Sequence, residues 1–296
     1  MIRRSFLQTL PAGLLARPGH QVRMGISAGI YRAHPMAEAA RLIRAAGFPG
    51  AQVGMRFADA RLDLEAPDWS YARRVRDVFG EAGVRVVAVD GYTNLVDPDP
   101  AVRERGVRGL KRLLEHVREF GTDVVATESG TFNPTQPRQP LPADDRQGWA
   151  QFTGVMRELL KVAESNGSIL AMEGSAATYI GTVEMVARMF AELPSANLKI
   201  LWDAANYFDE AHIGQMTPLL EKMCATFGAQ IVLAHAKDVR LKPDGKVEWL
   251  AAGSGVMDYR TFGRLLNGLG REIFVCLEYV KEPDVPQVKR YVEKFM

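Results

Sequence analysis

Short apolar runs recur along the chain, separated by longer stretches in which apolar residues return every three or four positions. The runs are MGIS at 24–27, AQVG at 51–54, VVAVD at 86–90, DVVAT at 123–127, ILAME at 169–173, LKILWD at 198–203, IVLAH at 231–235 and IFVCLE at 273–278. Successive runs begin 27 to 46 residues apart, which leaves room for a helix and two loops between them. Near-continuous apolar runs of this length are the pattern of strands covered on both faces, and their alternation with amphipathic segments predicts βα units around a parallel sheet.

The amphipathic segments carry their own boundary signals. Asp99-Pro100 supplies an N-cap and a first-turn proline for AVRERGVRGLKRLLEHVREFG, where Val102, Leu110, Leu113, Val117 and Phe120 fall near one face and Gly121 ends the pattern. Thr217-Pro218 opens PLLEKMCATFG in the same way with Gly228 closing it, and Asp258 precedes YRTFGRLLNGLG as a further cap. Eight such units at this length predict an α/β fold, a single-domain (β/α)8 TIM barrel over residues 22–296, in preference to a doubly wound sheet. The Pro-rich stretch NPTQPRQPLP at 133–142 reads as a loop at the barrel mouth, because the βα alternation resumes after it.

Composition narrows the classes of function. With 47% hydrophobic and 24% charged residues, the chain of 296 residues has the make-up of a globular protein with a sizeable core. A formal charge of +2, with basic residues as in YARRVRDVF spaced along helix faces, argues against a nucleic-acid partner. No apolar run reaches the roughly 18 residues that span a bilayer, so no membrane partner is expected. Cys224 and Cys276 sit in apolar runs without metal-type spacing and read as core residues. Residues 1–21 form a leader outside the fold: Arg3-Arg4-Ser5-Phe6-Leu7-Gln8 resembles a twin-arginine signal for export to the periplasm, whereas the short apolar stretch with Pro11 fits an ordinary leader on a cytoplasmic protein.

The chemistry lies at the strand ends. The fifth to eighth runs end in Glu173, Asp203, His235 and Glu278. In a (β/α)8 barrel the C-terminal strand ends surround one mouth, where active sites are built. A buried carboxylate costs several kcal/mol unless something offsets its lost hydration, and three together repel one another. A divalent cation resolves that conflict, and oxygen ligands with one imidazole suit Mn²⁺ foremost, with Mg²⁺ or Co²⁺ as alternatives. Taken singly, each residue has a plainer explanation: an ion pair, an N-cap for Asp203, a hydrogen-bonded core imidazole for His235. Four in register on adjacent strands favour the metal site.

With Glu173, Asp203, His235-Ala236-Lys237-Asp238, GSGVMDY at 253–259 and Glu278 in place, the chain resembles the xylose-isomerase-like superfamily of sugar phosphate isomerases and epimerases, over nearly its whole length after residue 22. The segment from Thr93 to Thr131 resembles the third and fourth units of that superfamily. The resemblance implies a small-molecule sugar or keto-sugar substrate and proton transfer next to a carbonyl through an enediolate. Glu173 and Glu278, both metal ligands, would act as the catalytic pair on opposite sides of the substrate carbon. The same site also fits a lyase or dehydratase acting on a keto-sugar or keto-inositol. A reading of another class is a non-catalytic barrel that binds a sugar or a protein, with its acidic residues ion-paired. Pairing through helix faces into a homo-oligomer is common in the superfamily.

The expected substrate shell departs from that of ketose 3-epimerases. Asn206 stands where they carry a histidine, Tyr179 where they carry a glutamate, and Arg240 one place before their arginine. These three, with Glu128 and Lys237, are the candidate substrate-binding residues. Glu128 in ATESGT is equally an N-cap or an arginine partner. Asp238 is a candidate to orient the ligands from behind, or to fix the loop that follows. His34 near the mouth reads as a loop histidine, and Tyr31, Trp202 and Tyr207 as packing residues or sugar-stacking ones. The superfamily's endonuclease branch uses further histidines after strands two and three, where this chain has VGMRF and VDGYTNL.

Overall fold

The computed structural model describes residues 22–133 and 145–296. The leader expected at 1–21 and nearly all of the Pro-rich stretch lie outside the described residues. Eight parallel strands make the barrel: β1 (Val22–Ser27), β2 (Gly50–Val53), β3 (Arg85–Asp90), β4 (Val124–Glu128), β5 (Ile169–Glu173), β6 (Leu198–Trp202), β7 (Ile231–Leu241) and β8 (Ile273–Leu277). Each pairs with the next, and β8 returns to β1 through a register running from Val22–Ile273 to Ile26–Leu277, which closes the sheet. Closure leaves no exposed barrel edge for another chain to pair with.

Eight helices follow the strands: α1 (Met36–Ala45), α2 (Ser70–Glu81), α3 (Pro100–His116), α4 (Arg146–Asn166), α5 (Val183–Glu192), α6 (Met216–Phe227), α7 (Tyr259–Gly268) and α8 (Val285–Glu293). Asp99 accepts from the amide of Ala101, and Asp258 from that of Thr261, as their positions predict. Thr217 differs from expectation. It lies inside the first turn of α6, and its hydroxyl donates to Asp258, tying α6 to the start of α7. Helix α3 ends at His116, and a 3-10 turn carries the chain to Gly121 at φ +83. Val102, expected on the buried face, is 43% exposed, whereas Leu110 and Leu113 further along α3 are buried.

Strand alternation divides the barrel into two layers of packing. Side chains pointing outward meet the helices in the main core, while Val87, Val124, Ala126, Ala171, Leu201, Leu233, Phe274 and Cys276 pack as a separate cluster inside the barrel. Phe274 fills the floor because β2 offers Gly50 opposite it; a β-carbon there would stand 2.4 Å from the phenyl ring. In parallel strands residues two apart share a face, so the layer above this floor is set by parity. Above Ala171 stands Glu173, above Leu201 stands Asp203, above Leu233 stand His235 and Lys237, and above Cys276 stands Glu278.

One extension was not apparent from the apolar pattern. Strand β7 runs on past His235 to Leu241 and turns back as an antiparallel partner, Val247–Ala251. A further two-stranded hairpin, Arg56–Phe57 with Ala60–Arg61, follows β2. The β7 hairpin raises a wall beside the mouth.

Candidate metal centre

Glu173, Asp203, His235 and Glu278 each bring one ligand atom to a common point, and these atoms all lie within 4.8 Å of one another. Nδ1 of His235 faces the three carboxylates, 3.2 Å from Glu278, 3.6 Å from Asp203 and 3.8 Å from Glu173. Asp203 is fully buried and precedes a 3-10 turn, yet its side chain caps nothing. Both its oxygens, together with Nδ1 of His235 and Oε1 of Glu278, are buried without a hydrogen-bond partner. Buried polar atoms left without hydrogen-bond partners beside this convergence are what a cation would satisfy, since such atoms are otherwise almost always paired. The donor set of carboxylate oxygens and one imidazole fits a hard or borderline divalent ion.

The imidazole is held from behind. Oε1 of Gln52 lies 2.8 Å from Nε2 of His235, and Nε2 of Gln52 donates to Asp90 at 2.7 Å. Because Asp90 accepts, the amide of Gln52 must present its oxygen to the ring, which places the proton of His235 on Nε2. In the neutral ring the lone pair of Nδ1 would then face the carboxylates, the tautomer that ligation needs, whereas without an ion the carboxylates favour a proton there. Burial opposes a charge on this ring, but Glu278 and Glu173 outweigh it and raise its pKa well above the ordinary imidazole value.

The two glutamates sit in different surroundings. Glu173 accepts from Nδ2 of Asn206 at 2.6 Å on one oxygen and from the hydroxyl of Tyr92 at 2.5 Å on the other. Glu278 faces cations: burial would raise its pKa, but His235 and Lys237 overcome that and hold it at about 2. Nζ of Lys237 lies 2.8 Å from Oε1 of Glu278 and 2.9 Å from Oδ2 of Asp203. These are ion-pair distances, but the ammonium is off the directions that a hydrogen bond requires, which is why both oxygens count as orphaned. Burial works against the charge of Lys237, and Asp203 and Glu278 outweigh it, so its pKa is raised.

Above the ligands opens a cavity of about 500 Å³. Its wall includes Tyr92, Glu128, Ser175, Thr178, Asn206 and Tyr279. Glu128 pairs in register with Glu173, and burial followed by the charge of Glu173 raises its pKa. Tyr92 is 41% exposed with its ring towards the cavity. Tyr279, directly after Glu278, is 59% exposed and is the one non-glycine residue with positive φ among the described residues, at +56.

The structure separates the other candidates. Asn206, Glu128 and Lys237 line the cavity. Tyr179 does not: its ring packs at 5.0 Å edge-on to Phe132 and also against Trp149 and Phe152, in the layer behind the mouth. Arg240 is exposed on the β7 hairpin, where it pairs with Glu248 at 2.5 Å. Alternation explains the difference, because Arg240 is an odd number of residues from His235 and points to the other face. Asp238 likewise turns away from the ligands and accepts from the amides of Val239, Gly253 and Met257, fixing the loop after the hairpin. His34 is tied to Glu282 at 2.9 Å, and Tyr31, Trp202 and Tyr207 are buried packing residues. Among the described residues no helix is long and apolar enough to cross a membrane.

Gln52, Asp90, Tyr92 and Tyr279 were not singled out by the sequence. A signal existed for Asp90, since VVAVD ends in a carboxylate as the later strands do. Gln52 was visible only as a polar residue inside an apolar run.

The same fold occurs in solved structures of other proteins. The structure superposes on 3-keto-D-glucoside 4-epimerase from E. coli with a TM-score of 0.70 and 17% identity, covering 93% of this chain and 100% of that one. It superposes on the probable 3-DHS dehydratase from Bacillus anthracis with a TM-score of 0.69 and 12% identity, covering 92% and 99%. A xylose isomerase-like TIM barrel protein from Mycobacterium smegmatis, in complex with magnesium, gives 0.65 and 20% identity over 93% and 98%. No curated protein sequence matches the chain. At these identities the superpositions establish the fold, while the sequence itself matches a family over residues 40–295. The protein belongs to the xylose isomerase-like TIM barrel family.

Proposed function

We propose that this protein is a divalent-metal-dependent sugar isomerase or epimerase, with Mn²⁺ as the favoured ion, acting on an uncharged keto-sugar. The convergence of four ligand atoms, two of them from glutamates, at the floor of a polar cavity carries the proposal. A bound divalent ion would be held by Glu173, Asp203, His235 and Glu278, and it would supply an electrophile that stabilises negative charge developing on the substrate's carbonyl oxygen. The residues of the chain do the rest. One of Glu173 and Glu278 takes the proton from the carbon beside the carbonyl, and the other returns a proton to the opposite face of the resulting enediolate. Asn206 and Tyr92 hold both oxygens of Glu173, which fixes its aim. Glu128, Ser175 and Thr178 offer partners for sugar hydroxyls.

The uncharged character of the substrate follows from the wall. Asp90, Glu128, Glu173 and Glu278 line it, and among the described residues Lys237 is the one Lys or Arg that does so, already set against two carboxylates. A phosphate or carboxylate would meet repulsion there. The same wall favours a second reading, elimination of water. Burial and the charge of Glu173 raise the pKa of Glu128, the direction that suits a proton donor to a departing hydroxyl. A non-catalytic barrel would have its acidic residues ion-paired; Lys237 does pair with Asp203 and Glu278, but one ammonium is set against two carboxylates, and Glu173 is held by the neutral donors of Asn206 and Tyr92.

Elemental analysis of the purified protein, with Glu278→Gln and His235→Ala alongside, tests the metal. About one divalent ion per chain, lost in both variants, supports the site. Incubation of keto-sugars in D₂O with added Mn²⁺ tests the chemistry. Deuterium appearing beside the carbonyl supports isomerisation or epimerisation, and loss of water supports elimination. A protein that takes up no Mn²⁺ would overturn both.

A further inference from the structure

The charges of the site do not balance with a divalent ion alone. Glu173, Asp203 and Glu278 carry three negative charges, and a divalent ion cancels two. The nearest further cation is Lys237, whose side chain is only 4% exposed. His235 and Lys237 are two apart on β7, so strand alternation aims both into the barrel. The lysine is built in rather than left reaching. Its carbonyl accepts from the hydroxyl of Tyr259 at 2.8 Å, and its backbone pairs with Ala251 across the hairpin. Its ammonium sits against Asp203 and Glu278 below, with the ring of Tyr279 at 4.7 Å and that of Trp249 at 5.6 Å.

We infer that Lys237 is the resident counter-cation of the centre: it shares Asp203 and Glu278 with the metal ion and thereby holds metal affinity below what the four ligands would otherwise reach. The inference rests on the metal site proposed above and assigns Lys237 a role towards the metal in place of one towards substrate. Two cations held by the same two carboxylates repel each other strongly in a buried site. With the ion in place the charges of these three carboxylates, the ion and the lysine sum to zero, and without it the lysine covers part of the excess charge, so the metal-free barrel stays folded. Lys237 is therefore a positioning residue that sets the charge available to the ion.

The test is a Mn²⁺ titration by calorimetry of the metal-stripped wild type and of Lys237→Met, which keeps most of the buried stem. The Met variant is expected to bind Mn²⁺ about tenfold more tightly or better. Its metal-free form is expected to melt below the wild type, with the gap closing as Mn²⁺ saturates. A residue with a merely structural role would not raise affinity when removed. Wild-type binding that is unchanged or weakened in Lys237→Met would overturn this inference alone. Absence of Mn²⁺ binding in both proteins would overturn the metal site and the inference with it. Lys237→Gln, purified with Mn²⁺ and titrated against a competing chelator, carries the same comparison if the Met form does not fold without the ion.

Discussion

Nε2 of His235 lies 2.8 Å from Oε1 of Gln52, and this contact decides which nitrogen of the ring faces the carboxylates. Gln52 comes from β2 and His235 from β7, 183 residues apart, and Asp90 on β3 fixes the orientation of the amide between them. Replacing Gln52 by Leu keeps the volume and removes the acceptor. Mn²⁺ affinity is expected to fall 10–100-fold, the usual cost of losing such a partner behind a ligand histidine, which calorimetric titration measures. Unaltered affinity would mean that the tautomer is set elsewhere.

Asp90 gives a dependence on pH. Burial raises its pKa to about 6, against the favourable bond from Gln52. A carboxyl whose pKa is higher folded than unfolded stabilises the fold while protonated, and that stability is lost as pH rises through about 6. Asp90→Asn keeps an acceptor for Gln52 without the charge. In the metal-free protein its melting temperature is expected to exceed that of the wild type by a few degrees at pH 8, with the difference shrinking towards pH 4. A constant offset across that range would contradict the assignment.

Tyr279 holds a backbone conformation that glycine adopts freely and other residues do not, at φ +56. Comparing two truncations removes the ring from consideration. Tyr279→Gly is expected to be more stable than Tyr279→Ala by about 1 kcal/mol in urea denaturation, the reverse of the usual order at an ordinary position. Equal stability would show that the left-handed turn carries no strain.

Asn206 donates to Glu173 at 2.6 Å, where the ketose 3-epimerases that the sequence resembles carry a histidine. Asn206→Ala leaves that oxygen short of a donor and the carboxylate free to swing. Deuterium uptake from solvent into an accepted keto-sugar is expected to slow by about 10–100-fold, because a small misplacement of a catalytic group costs about that much. Asn206→Asp would set a second negative charge against Glu173 and is expected to slow it further. Wild-type rates in the Ala variant would remove Asn206 from the machinery.

The barrel was legible in the sequence because burial on both faces leaves a strand few polar residues. Eight apolar runs therefore marked eight strands, and Asp99 and Asp258 marked helix starts through bonds made within a few residues of themselves. The same rule exposed Glu173, Asp203, His235 and Glu278: a charged group at the end of an apolar strand needs a partner, and parallel closure brings neighbouring strand ends together. Local signals failed where the outcome depended on more distant chain. Thr217 looked like a cap, but Asp258 in another unit takes its hydroxyl. Arg240 and Asp238 followed His235 closely in sequence, and only the path of the β7 hairpin showed that they face away from the cluster.

What the sequence determined by itself was therefore the architecture and the buried cluster of Glu173, Asp203, His235 and Glu278, since both follow from the cost of burying polar groups in regularly repeating strands. What only the tertiary structure decided was how those ligands are supported. The β2–β3 register shifts between Ala51 and Gln52, and the Gln52 amide that follows the shift contacts both His235 and Asp90. The closeness of Lys237 to two carboxylates, of Tyr92 and Asn206 to Glu173, and of Tyr279 to Lys237 all join residues from different strands or turns. Such contacts are set by the angular position of each strand around the closed sheet, and a linear pattern of apolar and polar residues carries no record of that angle.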